Sequence, residues 1–145
     1  MEINGLPAHV LLVHLVVVLL PLTSVAAVVA SAWPAAQRKL TFLVPLGAVI
    51  GAAAVPITTR AGNDLAHKLG NPPFIQRHQN FGTQVLPWAV ALAVTTLAQW
   101  FYLRRGSATL PRLVLALLVA ASAIGTATIV VLTGDSGAQA VWGSK

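Results

Sequence analysis

Residues 8–32 read AHVLLVHLVVVLLPLTSVAAVVASA, an apolar run without a charged side chain, and this run decides the fold class. A helix needs about 20 such residues to cross the hydrocarbon core of a bilayer. Residues 40–59, 82–103 and 113–133 are also apolar and uncharged. They lack the alternation of transmembrane barrel strands, so we predict an all-α integral membrane protein, a four-helix bundle with antiparallel up-down topology.

The composition indicates a membrane environment for the whole chain. Hydrophobic residues make up 57% of the sequence and charged residues only 8%, too few to cover the surface of a water-soluble domain. No Lys or Arg precedes residues 8–32, so we expect a retained helix rather than a cleaved secretory signal. We predict one transmembrane domain over residues 1–145, in contact with lipid, with a polar loop at residues 60–81.

The charges serve as signals of membrane topology. The nine Lys and Arg residues are scattered and form no basic stripe, so we expect no nucleic-acid partner. One predicted end of the bundle carries basic residues and no acid: Arg38, Lys39, Arg104, Arg105 and Arg112. The other end carries Arg60, Lys68, Arg77 and Lys145 together with all three acids, Glu2, Asp64 and Asp135. The positive-inside rule then puts both termini outside.

Four histidines converge on one end of the predicted bundle: His9, His14, His67 and His78. Because the chain has no cysteine, histidine is its only strong nitrogen ligand. His14 lies roughly 9 Å into the first helix, at 1.5 Å per residue. Ionisable residues at such depth usually face a bundle or cavity, which favours a functional site over a simple interhelical hydrogen bond. His9 lies about 140° around the helix from His14, so the two cannot easily share one ion.

The preferred hypothesis is an electron carrier of cytochrome b type, with a haem b near the outer face. If the third helix begins at Pro73, within the polar loop, His14 and His78 lie on different helices, and we expect both to face inward as the axial pair. Arg60 would hold a haem propionate through a forked, charge-assisted hydrogen bond. His67 is an alternative to His78, and the sequence does not choose between them.

Two other functions stay open. The first is a cofactor-free subunit or scaffold of a larger respiratory or transport complex, involved with quinone or ion passage or forming a homo-oligomer. The second is a divalent-metal site built from His9, His14, His78 and Asp135. No nucleophile elbow or phosphate loop is present, which favours an electron-transfer or accessory membrane protein over a stand-alone enzyme.

Three segments carry a resemblance to a known family. They are the opening GLPAHVLLVH at residues 5–14, the region of His78, and the closing GDSGA at residues 134–138 followed by Val141 and Trp142. Together they resemble bacterial four-helix predicted membrane proteins catalogued as a domain of unknown function. The resemblance covers nearly the whole chain and implies the bacterial cytoplasmic membrane. Some members resemble membrane anchors joined to Rieske domains, which implies an electron-transfer setting; members often have His where this chain has Asp135.

Overall fold

The protein is almost entirely helical in the computed structural model, which describes residues 2–3, 6–40 and 42–143. Its helices are α1 (Ala8–Ala32), α2 (Pro34–Leu40), α3 (Leu43–Lys68), α4 (Gln76–Arg105) and α5 (Thr109–Trp142). A short 3₁₀ turn at Pro73–Ile75 leads into α4, and Glu2–Ile3 pairs antiparallel with Leu6–Pro7 before α1. The prediction of an all-α fold is confirmed.

The four long helices form an antiparallel bundle with a square cross-section. Each of them is long and apolar enough to cross a membrane. Helix α1 packs against α3 and α5, and α4 packs against the same two helices. Helices α1 and α4 therefore face each other across one diagonal of the square and make few direct contacts. The predicted four-helix, up-down bundle is confirmed.

Small residues bring the helices close together. Gly47 of α3 lies against Thr23 of α1, and Gly51 lies against Leu20, so closely that a Cβ at either glycine would collide with its neighbour. Such close approach stabilises helix pairs in lipid, where the hydrophobic effect does not drive association. The buried core is correspondingly rich in small side chains; one of its two layers contains Ala27, Ala30, Val44, Ala48, Leu92, Ala93, Val119 and Ala123.

Large apolar side chains cover the outside of the bundle. Leu22 is 65% exposed and Ile124 64% exposed, and both lie in the middle part of long helices. In water this much exposed apolar surface would drive aggregation, whereas a lipid bilayer solvates it. The protein is thus a multi-pass membrane protein in contact with lipid.

The helices extend well beyond the predicted spans. The expected loop at residues 60–81 is wrong for most of its length, because α3 continues to Lys68 and α4 begins at Gln76. The fourth span was predicted to end at residue 133, whereas α5 continues to Trp142. Hydropathy measures only the part of a helix that sits in hydrocarbon, and polar helix ends can continue into the interface. This continuation brings polar side chains of α3 and α5 alongside the starts of α1 and α4.

One helix was absent from the prediction. Residues 34–39, predicted to connect the first two spans, belong to the short helix α2, with Arg38 and Lys39 in its last turn. Pro34 opens this helix, a position where proline is favoured, and the basic residues complement the negative end of the helix dipole. Its seven residues lie at the basic end of the bundle, opposite the histidines.

Candidate functional site

His9 of α1 reaches across to the backbone of α3. The ring nitrogen Nδ1 lies 3.0 Å from the carbonyl oxygen of Thr58. The half-buried ring also rests on Gly62, where an added Cβ would lie 2.9 Å from Nδ1. A glycine at this position is therefore what lets the imidazole approach the α3 backbone.

His78 of α4 makes the same arrangement with α5. Its Nδ1 lies 2.9 Å from the carbonyl oxygen of Thr133. Its ring rests on Gly137, where an added Cβ would lie 3.1 Å from Nδ1. The helix pair α4 and α5 thus repeats the contact that α1 makes with α3.

The two contacts rest on one repeated motif, threonine followed four residues later by glycine. The Thr58 hydroxyl donates to the carbonyl of Ala54 at 2.9 Å, and the Thr133 hydroxyl donates to that of Ile129 at 2.7 Å. Both hydroxyls bond within their own helices, and each threonine carbonyl accepts from a histidine. The Thr133 carbonyl also accepts from the Ser136 hydroxyl at 2.9 Å. The contact between a histidine, a threonine carbonyl and a glycine is therefore the same in the pair α1–α3 as in the pair α4–α5.

The hydrogen bonds determine which nitrogen of each ring is free. A carbonyl oxygen can only accept, so Nδ1 of His9 and Nδ1 of His78 each carry the donated proton. In the neutral imidazole the other nitrogen, Nε2, then has a lone pair. Each ring is held by its Nδ1 and keeps Nε2 for another partner.

The two rings meet across the diagonal of the bundle. Their centroids are 6.1 Å apart and their planes are inclined at 79°. Because α1 and α4 contact each other so little, this ring pair is one of the few places where side chains from these helices approach. His9 and His78 thus form a histidine pair near the axis of the bundle.

His14 faces away from this pair. Its side chain is exposed, and its Nδ1 lies within hydrogen-bonding distance of the carbonyl of Val10, one turn earlier in α1. The expectation that His14 points into the bundle beside His78 is wrong. Its position about 140° around the helix from His9 agrees with the sequence argument, but His9 is the residue that faces inward.

The other predicted ligands lie on the surface. His67 is exposed near the end of α3, where its Nδ1 accepts a hydrogen bond from the Asn71 amide at 3.2 Å. Arg60 is exposed on α3. Asp135 is exposed on α5 and accepts a 2.7 Å hydrogen bond from Gln139. Within the described part of the chain, none of these three side chains forms a hydrogen bond or ring contact with His9 or His78.

The residues suggested for a divalent-metal site do not come together. Across residues 2–3, 6–40 and 42–143, no three His, Asp or Glu side chains cluster closely enough to hold an ion. Of His9, His14, His78 and Asp135, only His9 and His78 are neighbours. The donor set that the structure assembles is two imidazoles.

Sequence reasoning overlooked the pairing of His9 with His78 and the glycines beneath their rings. The available signal was the spacing of Thr58 and Gly62, repeated at Thr133 and Gly137. It was hidden because each motif crosses the end of a predicted span, so that Gly62 and Gly137 were placed outside the helices, where glycine has an ordinary conformational role.

Comparison with known proteins identifies the family but no relative of known activity. Neither a curated protein nor a solved structure matches the chain. Residues 5–145 match a family described as a predicted membrane protein, DUF2231. This match includes α1 to α5 and both halves of the histidine pair. The chain therefore belongs to the DUF2231 family of predicted membrane proteins.

Proposed function

We propose that the protein is a small membrane electron carrier in which His9 and His78 are the axial ligands of one b-type haem. The observation that carries the proposal is the meeting of the two imidazoles across the bundle diagonal, with a centroid separation of 6.1 Å. A bound haem supplies one-electron exchange between ferric and ferrous iron.

The hydrogen bonds at Nδ1 support a ligand role. Histidines that bind metals usually donate their second ring N–H to a carbonyl or carboxylate, which fixes the tautomer and makes the ligating nitrogen more basic. His9 and His78 both donate in this way, to Thr58 and Thr133. The chain orients both rings through the α3 and α5 backbones before any metal binds.

The spacing of the rings also suits one shared metal. Two metal–nitrogen bonds of about 2 Å, with about 1 Å from each nitrogen to its ring centre, give a centroid separation of about 6 Å. The observed separation of 6.1 Å agrees with this value. His9 and His78 would hold such a metal through their Nε2 atoms, since each Nδ1 is already engaged with a carbonyl.

The number of protein ligands favours haem over an isolated divalent ion. A zinc site uses three or four protein ligands, whereas a haem iron takes four nitrogens from its porphyrin and needs only an axial pair. The described residues offer a pair here and no third His, Asp or Glu. His14 and His67 are not needed under this proposal, and Arg60 would meet a propionate only by reaching in from the surface.

The location and partners follow from the charges and the proposed chemistry. The end of the bundle with Arg38 and Arg104 would face the cytoplasm of a bacterium, which puts the histidine pair near the outer face of the cytoplasmic membrane. A carrier there would exchange electrons with a membrane redox complex or a quinone. Exposed apolar side chains on all four long helices offer surface for such a partner.

A cofactor-free subunit or scaffold is the second candidate, and one observation favours it. Each imidazole already fills the space above a glycine and already bonds to a carbonyl, so His9 and His78 could act only as clamps between helices. Interhelical hydrogen bonds in membranes stabilise by about 0.6 kcal/mol on average, enough to justify a structural role.

The visible absorption spectrum of the detergent-purified protein, oxidised and then reduced with dithionite, distinguishes the two candidates. The protein should be expressed with adequate haem supply. An electron carrier shows a sharp Soret band and, when reduced, split visible bands. A colourless protein of full helical content contradicts the haem proposal and supports the subunit role, with elemental analysis then testing for a bound metal ion.

A further inference from the structure

A second polar site lies at the opposite end of the bundle from the histidines. It is a cavity of about 200 Å³ between α1, α2, α3 and α4. Its polar lining consists of Gln37, Arg38, Thr96, Gln99, Trp100 and Arg104, and we call it the basic cavity. The volume is several times the roughly 30 Å³ of one water molecule, yet below the roughly 300 Å³ at which drug-sized pockets begin. A group of the size of a phosphate with some water fits such a space.

One residue that lines the basic cavity, Trp100, has a buried donor without an acceptor. The Nε1 atom of Trp100 is inaccessible to solvent and has no hydrogen-bond partner within the described part of the chain. Buried polar atoms are normally paired, and an indole N–H can only donate. The missing partner must therefore be an acceptor.

The neighbouring polar side chains are mostly already engaged. Thr96 donates to the carbonyl of Leu92 in its own helix at 2.6 Å. Gln99 bonds Ser31 of α1 at 3.1 Å. The carbonyl oxygen of Gln37 accepts from Arg112 at 3.2 Å, which leaves its amide N–H groups as donors. The groups still available around the basic cavity are thus predominantly donors.

The charge of the basic cavity is positive. The guanidinium of Arg104 lies 4.1 Å from the centre of the Trp100 ring, and Arg38 approaches from α2. None of the lining residues is acidic. Two guanidinium groups around one space, with an unpaired indole N–H on a neighbouring lining residue, favour an anion there, since arginine binds phosphate through paired N–H donors.

We propose that the basic cavity binds the phosphate of an anionic phospholipid from the adjacent leaflet. The cavity lies where α4 and the interfacial helix α2 reach their basic ends, the level at which headgroups lie. Phe101 and Leu43 are exposed apolar side chains near these helix ends and offer surface for acyl chains. The proposal is independent of the function of the histidine pair.

The test is lipid-dependent thermal stability of the full-length protein in neutral detergent. Short-chain phosphatidylglycerol, phosphatidylcholine and inorganic phosphate are titrated separately, and the unfolding midpoint gives an apparent Kd. Arg38→Gln and Arg104→Gln should each weaken phosphatidylglycerol binding about fivefold. Arg105→Gln is the matched control, because it removes the same charge from the next residue, which does not line the cavity.

Trp100→Phe tests the unpaired donor without changing the charge. It should weaken phosphatidylglycerol binding while leaving the lipid-free protein at least as stable, and it carries the test if an arginine variant does not fold. Equal stabilisation by phosphatidylcholine would overturn the proposal, as would an Arg105→Gln effect equal to that of Arg104→Gln. A full effect of inorganic phosphate alone would replace the lipid with a free anion and would overturn it as stated.

Discussion

The α1–α4 diagonal has a polar contact at each end, and the two contacts differ in what they leave unused. At one end Ser31 and Gln99 bond each other: the serine hydroxyl donates to the amide oxygen and accepts from the amide nitrogen, both at 3.1 Å. At the other end His9 and His78 meet ring to ring, but their hydrogen bonds go to α3 and α5.

This difference separates a structural contact from a candidate site. The amide and hydroxyl of the Ser31–Gln99 pair satisfy each other, and Gln99 is only 9% exposed, so this pair serves to join helices. The histidine pair has its hydrogen bonds with α3 and α5, through Nδ1, and each ring keeps its Nε2 atom for another partner. A polar pair that keeps unused donor or acceptor atoms after packing is the better candidate for a functional site.

The largest effect is expected from replacing either member of the histidine pair by asparagine. The Asn amide nitrogen occupies nearly the position of Nδ1 and can still donate to Thr58 or Thr133, but nothing replaces Nε2. His9→Asn and His78→Asn should each weaken haem binding at least about tenfold, with thermal stability of the haem-free protein nearly unchanged. Haem content per protein after purification measures the effect.

His67→Asn is the matched control for those variants, since His67 is exposed on the surface at the same end. It should bind as much haem as the wild type. If all three asparagine variants keep a full Soret band, the histidine pair is only a structural clamp.

Filling the space beneath the rings should produce the next largest effect. In Gly62→Ala the new Cβ would lie 2.9 Å from the His9 ring, which must move and lose its bond to Thr58. We expect a loss of about 1–3 kcal/mol in the free energy of unfolding and a matching loss of haem. Unfolding in a mixed detergent series measures the first quantity and absorbance the second.

Gly134→Ala tests whether contact with the imidazole, rather than the loss of any helix glycine, explains the effect of Gly62→Ala. No atom lies within 4 Å of a Cβ at Gly134, so alanine there should be neutral or stabilise α5 by up to about 1 kcal/mol. A destabilisation as large as that of Gly62→Ala would mean that glycine flexibility in the helices, and not contact with the imidazole, explains both results.

A smaller effect is expected at the structural end of the diagonal. Gln99→Leu removes the partner of Ser31 and should destabilise the bundle by about 1 kcal/mol. Haem content should not change, because Gln99 lies at the far end from the histidine pair. Parallel thermal unfolding and absorption measurements on one sample check both statements; a loss of haem without a loss of stability would contradict the separation of the two ends.

The smallest effect is expected at His14. His14→Leu replaces an exposed imidazole in α1 with a lipid-compatible side chain, so stability should stay the same or rise by less than about 1 kcal/mol. The absorption spectrum should match that of the wild type. A shifted or absent Soret band in this variant would return His14 to the role that the sequence argument assigned to it.

The bundle itself could be predicted from hydropathy, because four long uncharged runs leave few alternatives in a membrane. The helix ends could not, since α3 continues through Arg60, Gly62 and Asp64 to Lys68 although these residues lower the hydropathy. This end of α3 makes tertiary contacts, such as that of the His9 ring with Gly62. Local sequence patterns do not reveal such contacts, which can override helix propensity.

Only one of the two histidines of the candidate site was assigned to it from the sequence. His78 was expected to face inward, and in the structure its half-buried ring contacts α5 and lies beside His9. His14 was preferred over His9 because of its depth in the span, yet depth does not determine which way a side chain faces. The buried positions Val16 and Leu20 lie on the opposite face of α1 from His14, a pattern that a purely apolar helix conceals.

The central claim is that His9 and His78, and not His14, are the two axial ligands of one haem iron. Electron paramagnetic resonance of the oxidised protein tests this most directly, because two imidazole ligands give low-spin ferric iron. We expect a low-spin signal in the wild type and in His14→Leu, and its loss or conversion to high spin in His9→Asn. A low-spin signal that persists in His9→Asn but disappears in His14→Leu would contradict the account.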